Sequence, residues 1–400
     1  MEGKWKETTM KPVNLGVIGY GHRINGVVNK LIKQYNHVRI AAITDIRIDE
    51  IRKQMADRGF HDIRYYLTPE EMLSSESLDG ILIGTRCSLH TTMALKVFPH
   101  GIPLFLEKPV ATTMEDLLRL KQGFEANRPP VVVSFPLRAT AIAKLVKEII
   151  DSGKIGTVEH VQAINNVPYG GVYYHDWYRD ERETGGLFLQ KATHDFDYIN
   201  YLVGVKPVGV VAMTSKQIFK GDKPAGLKCT ECEDNRTCEE SKAFLPGNPR
   251  GNYCCFAEDT GNEDSGSALI RYETGMHVSY SQNFFARRKA GARGARLLGY
   301  KGTIEFDFKT GKIQVFMHHS PRVETYELEA TADHFGGDSV LSENFYSLIE
   351  GKSITSGTLE DGMLSALMCL KAKQSAETGT FQEIAWDGLD VNSRVVGSAI

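Results

Sequence analysis

The chain has 400 residues, 42% hydrophobic and 24% charged, with a formal net charge of −3. That length exceeds what one small core organises, so two domains are expected, and the near-neutral charge gives no overall pull toward nucleic acid or an anionic membrane. No apolar run approaches the roughly 18 residues needed to cross a bilayer, and the opening MEGKWKETTMKPV lacks the apolar centre of a secretion signal, so a cytoplasmic protein is expected.

The first predicted elements are a strand in VNLGVIGYG, a helix in INGVVNKLIKQY and a second strand in VRIAAITD. Strand, glycine turn, helix, strand and terminal acid is the order of a dinucleotide-binding βαβ unit. Gly19 would permit the tight turn, and Gly21 would let backbone approach a pyrophosphate at the helix N-terminus. His22 and Arg23, directly after, are counted as further cofactor contacts. The third glycine of the fingerprint would fall at position 24, where the chain has Ile, with Gly26 two residues later. Asp45 lies 24 residues beyond Gly21, as expected for the carboxylate that binds the adenosine ribose and favours NAD. Arg47 is the opposing signal, able to accept the 2′-phosphate of NADP.

Farther along, LTPEEML predicts a helix start, with Thr68 as N-cap, Pro69 at the first position and Glu71 closing a capping box. DGILIGT, PLFLEKP and PPVVVSF read as buried parallel strands, with a helix after Ser88 and another in AIAKLVKEIIDSG. A nucleotide-binding domain over 1–135 follows, with a second domain over 136–400. In that second part HVQAINNV, GVVAMTSKQIF, SGSALIRYE, MHVSYSQNFF and TIEFDFKTGKIQVFM have strand composition, with turns at ETGM and KTGK. GGLFLQKATHDFDYINYLVG is a helix on which Gln190, His194, Asp197 and Tyr201 fall on one stripe, opposite an apolar face.

Glu107-Lys108-Pro109 closes a strand at the end where ligands bind in parallel sheets. Together with GVIGYG, the TD pair, the glycine–histidine helix, IIDSGKIGTVEHV, GYKGTIEFD and LEDGMLSALMCLKAKQSAETG, it resembles the Gfo/Idh/MocA oxidoreductases over about residues 13 to 384. The resemblance implies an N-terminal Rossmann doubly wound parallel sheet, then an α+β domain with a large, open, mostly antiparallel sheet. It implies homodimers or homotetramers formed through that sheet. Its chemistry is hydride transfer between NAD(P) and a secondary hydroxyl of a sugar, glycoside or polyol, which makes Lys108 and His194 the acid/base pair. His90, Glu107 and Lys108 join the cofactor contacts. Lys108, Gln190, Lys191, His194, Arg138, Tyr174 and Trp177 form the expected substrate side.

Several alternatives stand beside that reading. Lys108 could pair with Glu107, and Lys191 could pair with Asp195 one turn on. Relatives often carry aspartate where this chain has Gln190, so Asp197 is the candidate to supply charge to His194. The aromatic run YYHDWYRD suits a pyranose ring or a small satellite core. ARRKAGARGAR reads as a solvated loop; folded toward the cleft, it would suit an acidic or phosphorylated sugar. Cys229, Cys232, Cys238 and Cys254, in an insertion at about 226–256, have spacing compatible with a structural zinc, with free thiols or disulfides as alternatives. Beside net dehydrogenation stand an NAD-recycling sugar enzyme and a non-catalytic dinucleotide-binding regulator.

Overall fold

The computed structural model describes residues 11–244, 252–329, 336–354 and 357–386; part of the cysteine-rich insertion, 245–251, lies outside the described residues. Its N-terminal part alternates β1 (Val13–Ile18), α1 (His22–Gln34), β2 (Val38–Thr44), α2 (Ile48–Asp57), β3 (Arg64–Tyr66), α3 (Pro69–Ser75), β4 (Gly80–Ile83), α4 (His90–Val97), β5 (Leu104–Leu106), α5 (Met114–Asn127) and β6 (Val131–Val133). The six strands are all parallel in the order β3-β2-β1-β4-β5-β6, the doubly wound arrangement. Buried on both faces, β4, β5 and β6 read as unbroken apolar runs rather than alternating ones. The capping box at Thr68 and Glu71 is present, with Pro69 in the first turn of α3.

After α6 (Ala141–Asp151) the chain builds a nine-stranded sheet from β7 (Val158–Asn166), β8 (Pro207–Ser215), β9 (Ser265–Tyr272), β10 (His277–Asn283), β11 (Ala292–Gly299), β12 (Gly302–Asp307), β13 (Lys312–Met317), β14 (Val323–Glu327) and β15 (Gln382–Glu383). The order is β14-β13-β12-β11-β7-β10-β9-β8-β15, antiparallel except for the β7–β10 pair. Two short helices, α7 (Val172–His175) and α8 (Glu181–Thr184), lead into α9 (Leu187–Val203), which packs on the inner face of this sheet. ARRKAGARGAR is a solvated loop only in its first half, where 288–290 are exposed; Arg293 and Arg296 belong to β11, where Arg296 pairs with Glu305 and Arg293 turns inward.

Two later helices tie the halves together. α10 (Gly337–Ile349) returns to the N-terminal sheet, where the Phe345 ring meets Phe105 edge-on at 5.8 Å and Tyr346 stacks on Tyr35 at 3.7 Å. Gly80 leaves the space that the Phe345 and Ile349 side chains fill. α11 (Leu359–Thr378) crosses back against α9 and β8. One apolar core therefore runs from Ile83, Leu106 and Val133 through Ala192 and Phe196 to Val278 and Ile304. No helix among the described residues is long and apolar enough to cross a membrane.

Candidate active site

The site is assembled where the carboxyl ends of β1, β2, β4 and β5 meet α9. Gly19 has a φ of 80°, and a side chain there would collide with the Thr85 backbone nitrogen at 2.7 Å. α1 begins at His22 behind its N-cap Gly21, with no side chain capping its first turn, so its N–H groups stay available to an anion. Ile24, at the place of the fingerprint's third glycine, is fully buried because Gly84 at the end of β4 gives way to it; a Cβ on Gly84 would lie 2.0 Å from Ile24 Cγ1. Close helix–strand packing is thus kept with the glycine moved to the facing strand.

Asp45 follows β2. Its carboxylate accepts from the Tyr20 and Arg47 backbone N–H groups, both at 2.8 Å, with Arg47 Nε 3.5 Å away. A carboxylate offers about four acceptor positions, so a ribose hydroxyl can still be held. The uncapped helix, the glycine cradle and this acid fit a dinucleotide.

Lys108 follows β5, joined to Pro109 by a cis peptide bond. It is 8% exposed, and its Nζ donates to the Gln190 carbonyl at 2.8 Å. The pair with Glu107 does not form: Glu107 accepts from Arg23 Nε at 3.2 Å, and Arg23 reaches on to Ser134 Oγ and to Asp338 at 2.6 Å. Burial pulls the Lys108 ammonium down to about 7, and the like charges of Lys191 and Arg293 act in the same direction against Cys87 and Glu107. His194 stands one turn after Gln190, its ring edge-on to Phe135 at 6.0 Å.

Residues 13–135 match the model described as the oxidoreductase family, NAD-binding Rossmann fold, and 143–305 match the GFO/IDH/MocA C-terminal domain. The chain belongs to the Gfo/Idh/MocA oxidoreductase family. The rhizopine catabolism protein MocA of Rhizobium meliloti is 26% identical over 66% of this chain and 80% of its own. Myo-inositol 2-dehydrogenase of Thermotoga maritima is 26% identical over 48% of this chain and 55% of its own. Among solved structures, levoglucosan dehydrogenase with NADH and levoglucosan superposes with a TM-score of 0.75 at 18% identity, covering 94% of this chain and all of that one.

The polar stripe expected from helical spacing does not leave α9 half-wet: all but four of its 17 residues are buried, Gln190 and Asp197 among them. Asp197 is not turned to His194. It forms a two-pronged pair with Arg138, whose third nitrogen binds Asp361 at 2.7 Å. Burial works against the Arg138 charge, but Asp197 and Asp361 outweigh it and hold the guanidinium above its ordinary value. Arg138 is therefore a tie between the turn after β6, α9 and α11, not a substrate contact. Arg23 is likewise committed to Glu107 and Asp338. His90 is buried, with Nδ1 2.7 Å from the Pro109 carbonyl and Nε2 3.3 Å from that of Thr85, so both ring nitrogens are engaged in bracing the lysine turn.

The aromatic run divides. Tyr174 is fully buried in a satellite core with Phe219 and Phe284, and its hydroxyl donates to the Glu263 carbonyl at 2.7 Å, so it does not meet substrate. Trp177 stacks on Tyr178 at 3.8 Å and carries Arg86, which follows β4, 3.9 Å from its ring centroid, so it borders the cleft. Lys191 does not pair with Asp195; its Nζ lies 3.3 Å from the Tyr169 hydroxyl. The expected zinc is not supported, since no group of three or more His, Cys, Asp or Glu side chains among the described residues is set to hold a metal. The cysteines are free thiols, and Cys229 Sγ lies 3.8 Å from His175 Nδ1. Of the neighbours of Lys108 and Lys191, Arg293 lies in the arginine-rich run noted from the sequence, whereas Tyr169 and Cys87 were not singled out as site residues. Only chain folding brings them there.

Proposed function

We propose that this protein is an NAD-dependent dehydrogenase acting on a ring secondary hydroxyl of a sugar or polyol. The observation that carries this reading is the buried Lys108, lowered to about 7, beside α9 at the mouth of the nucleotide fold. The inositol and levoglucosan dehydrogenases among its relatives and structural neighbours support the substrate class. NAD, when bound, supplies the hydride acceptor. Lys108, neutral before the reaction, takes the hydroxyl proton as the carbonyl forms, and its bond to the Gln190 carbonyl fixes the nitrogen for that transfer. His194, on the next turn of α9, is the second hydroxyl-facing group. Asp45 with Arg47 drawn against it favours NAD over NADP, because a 2′-phosphate would meet the carboxylate.

The test is NADH absorbance across a sugar and polyol panel, for wild type and Lys108→Met. NADH formation by wild type that the variant loses, with NAD binding kept, is the expected result. Product formed without net NADH would point to recycling chemistry, and tight NAD binding without turnover to a regulator. We further propose a homo-oligomer formed through the outer face of the nine-stranded sheet, where Ile164, Met213 and Leu269 are 40%, 78% and 53% exposed.

A further inference from the structure

The neighbourhood of Lys108 holds more positive charge than proton transfer uses. Lys191 is 7% exposed and makes no ion pair with a carboxylate among the described residues. It is held by aromatic rings instead, 4.6 Å from the Tyr173 centroid and 5.1 Å from that of Tyr169. Asp195, one turn away, is taken by Arg293 Nε at 2.8 Å, Asn165 at 2.7 Å and the Tyr280 hydroxyl at 2.8 Å. Arg293 keeps a buried Nη2 with no hydrogen-bond partner, and buried Gln190 keeps an unpartnered Oε1. Lys191 and Arg293 both act on the charge of Lys108, and together they draw the Tyr169 phenol down to about 8, Lys191 foremost. Lys191 and Arg293 thus place two cations beside Lys108, with Asp195 paired to Arg293 and no carboxylate pairing Lys191 among the described residues. Burying a cation without counter-charge is costly, and in a binding cleft the missing charge can come from the ligand.

We propose that the substrate is an anionic sugar, with Lys191 and the free Nη2 of Arg293 binding its negative group while Lys108 meets the hydroxyl to be oxidised. Tyr169, 53% exposed, stands at the mouth of that subsite. The Gln190 Oε1 is left to accept from a neighbouring hydroxyl. This deepens the dehydrogenase reading and rests on it.

The full chain is assayed with NAD on matched pairs: glucuronate against glucose, galacturonate against galactose, and glucose 6-phosphate beside them. Binding of the same compounds is measured by calorimetry at low and high salt. The charged member of a pair should be preferred by about tenfold or more, with the preference falling as salt rises. The uronate and phosphate arms identify which anion is used. Lys191→Met should remove the preference, chiefly through KM and the calorimetric Kd, and Lys191→Arg should restore part of it; matched unfolding midpoints exclude a folding defect. Equal or better binding and turnover of the neutral sugars would overturn the inference and leave the dehydrogenase reading standing. Failure to bind any of the acids would overturn it too, with NADH formation from a neutral sugar deciding the dehydrogenase reading separately. Charge-selective binding with no NADH from any compound would do the reverse.

Discussion

Lys108 can act as a base only when neutral, and its surroundings decide when that is. With burial, Lys191 and Arg293 all disfavouring the ammonium, and Cys87 and Glu107 opposing them, the rate of alcohol oxidation should rise with pH through about 7. Lys191→Met removes a like charge, so the ammonium becomes easier to keep and the midpoint should move to higher pH. A pH–rate profile whose midpoint stays put would exclude Lys108 as the titrating group. Lys108→Met should cost on the order of 10²–10⁴-fold in kcat. Arg138 poses a different problem, since it is sealed between Asp197 and Asp361. Arg138→Met leaves a buried carboxylate unpaired and should cost about 3–5 kcal/mol in urea unfolding, whereas Arg138→Met with Asp197→Leu should recover much of it. Lys108 was legible because a lysine closing a buried strand has no ordinary structural reason to be there. The partner of Asp197 was not, because Arg138 lies 59 residues away and only the packing of α9 brings it close. Helical spacing and the family resemblance put Asp197 on the His194 side.

At the level of elements, strands β4, β5 and β6 and helices α1, α3, α6 and α9 were legible from apolar runs and capping residues. β11 was not. Its composition, ARGARLLG, carries the arginines and glycines of a loop, yet Gly294 lies so close to the Phe306 carbonyl that a Cβ would be 1.9 Å from that oxygen. Arg293 is drawn inward by Asp195. Glycine there serves close strand approach, and arginine serves a buried pair, so tertiary contacts override composition. The α1–β4 contact shows the same logic in reverse, because the departure at Ile24 is compensated across the interface by Gly84. Gly84→Ala should therefore overpack, costing about 1–3 kcal/mol and weakening NAD binding as α1 is displaced. In an Ile24→Ala background the same change should cost distinctly less, since the offending methylene is gone. Equal costs in both backgrounds, measured as a double-mutant cycle, would break the proposed coupling.

Across the whole molecule, the two sheets share one core, and the chain crosses between them more than once. α10 closes the N-terminal sheet against Phe105 and ties to α1 through Arg23 and Asp338, while α11 joins Arg138 and α9. The outer face of the large sheet is what remains open. If a second copy covers it, Leu269→Lys with Ile164→Lys should shift the mass in light scattering to that of a monomer, and an unchanged mass would exclude that face. Two-domain chains commonly unfold in separate steps. Here a first step that freed the nucleotide-binding half would have to strip α10 from its sheet and open the core at Leu106, Val133 and Phe196 together. Scanning calorimetry should accordingly give a single transition. Saturating NAD binds only the folded chain, so it should raise the midpoint of the whole transition. Two resolved transitions, with NAD moving one of them alone, would mean that the shared core does not couple the halves and that the cleft around Lys108 can open independently of either sheet.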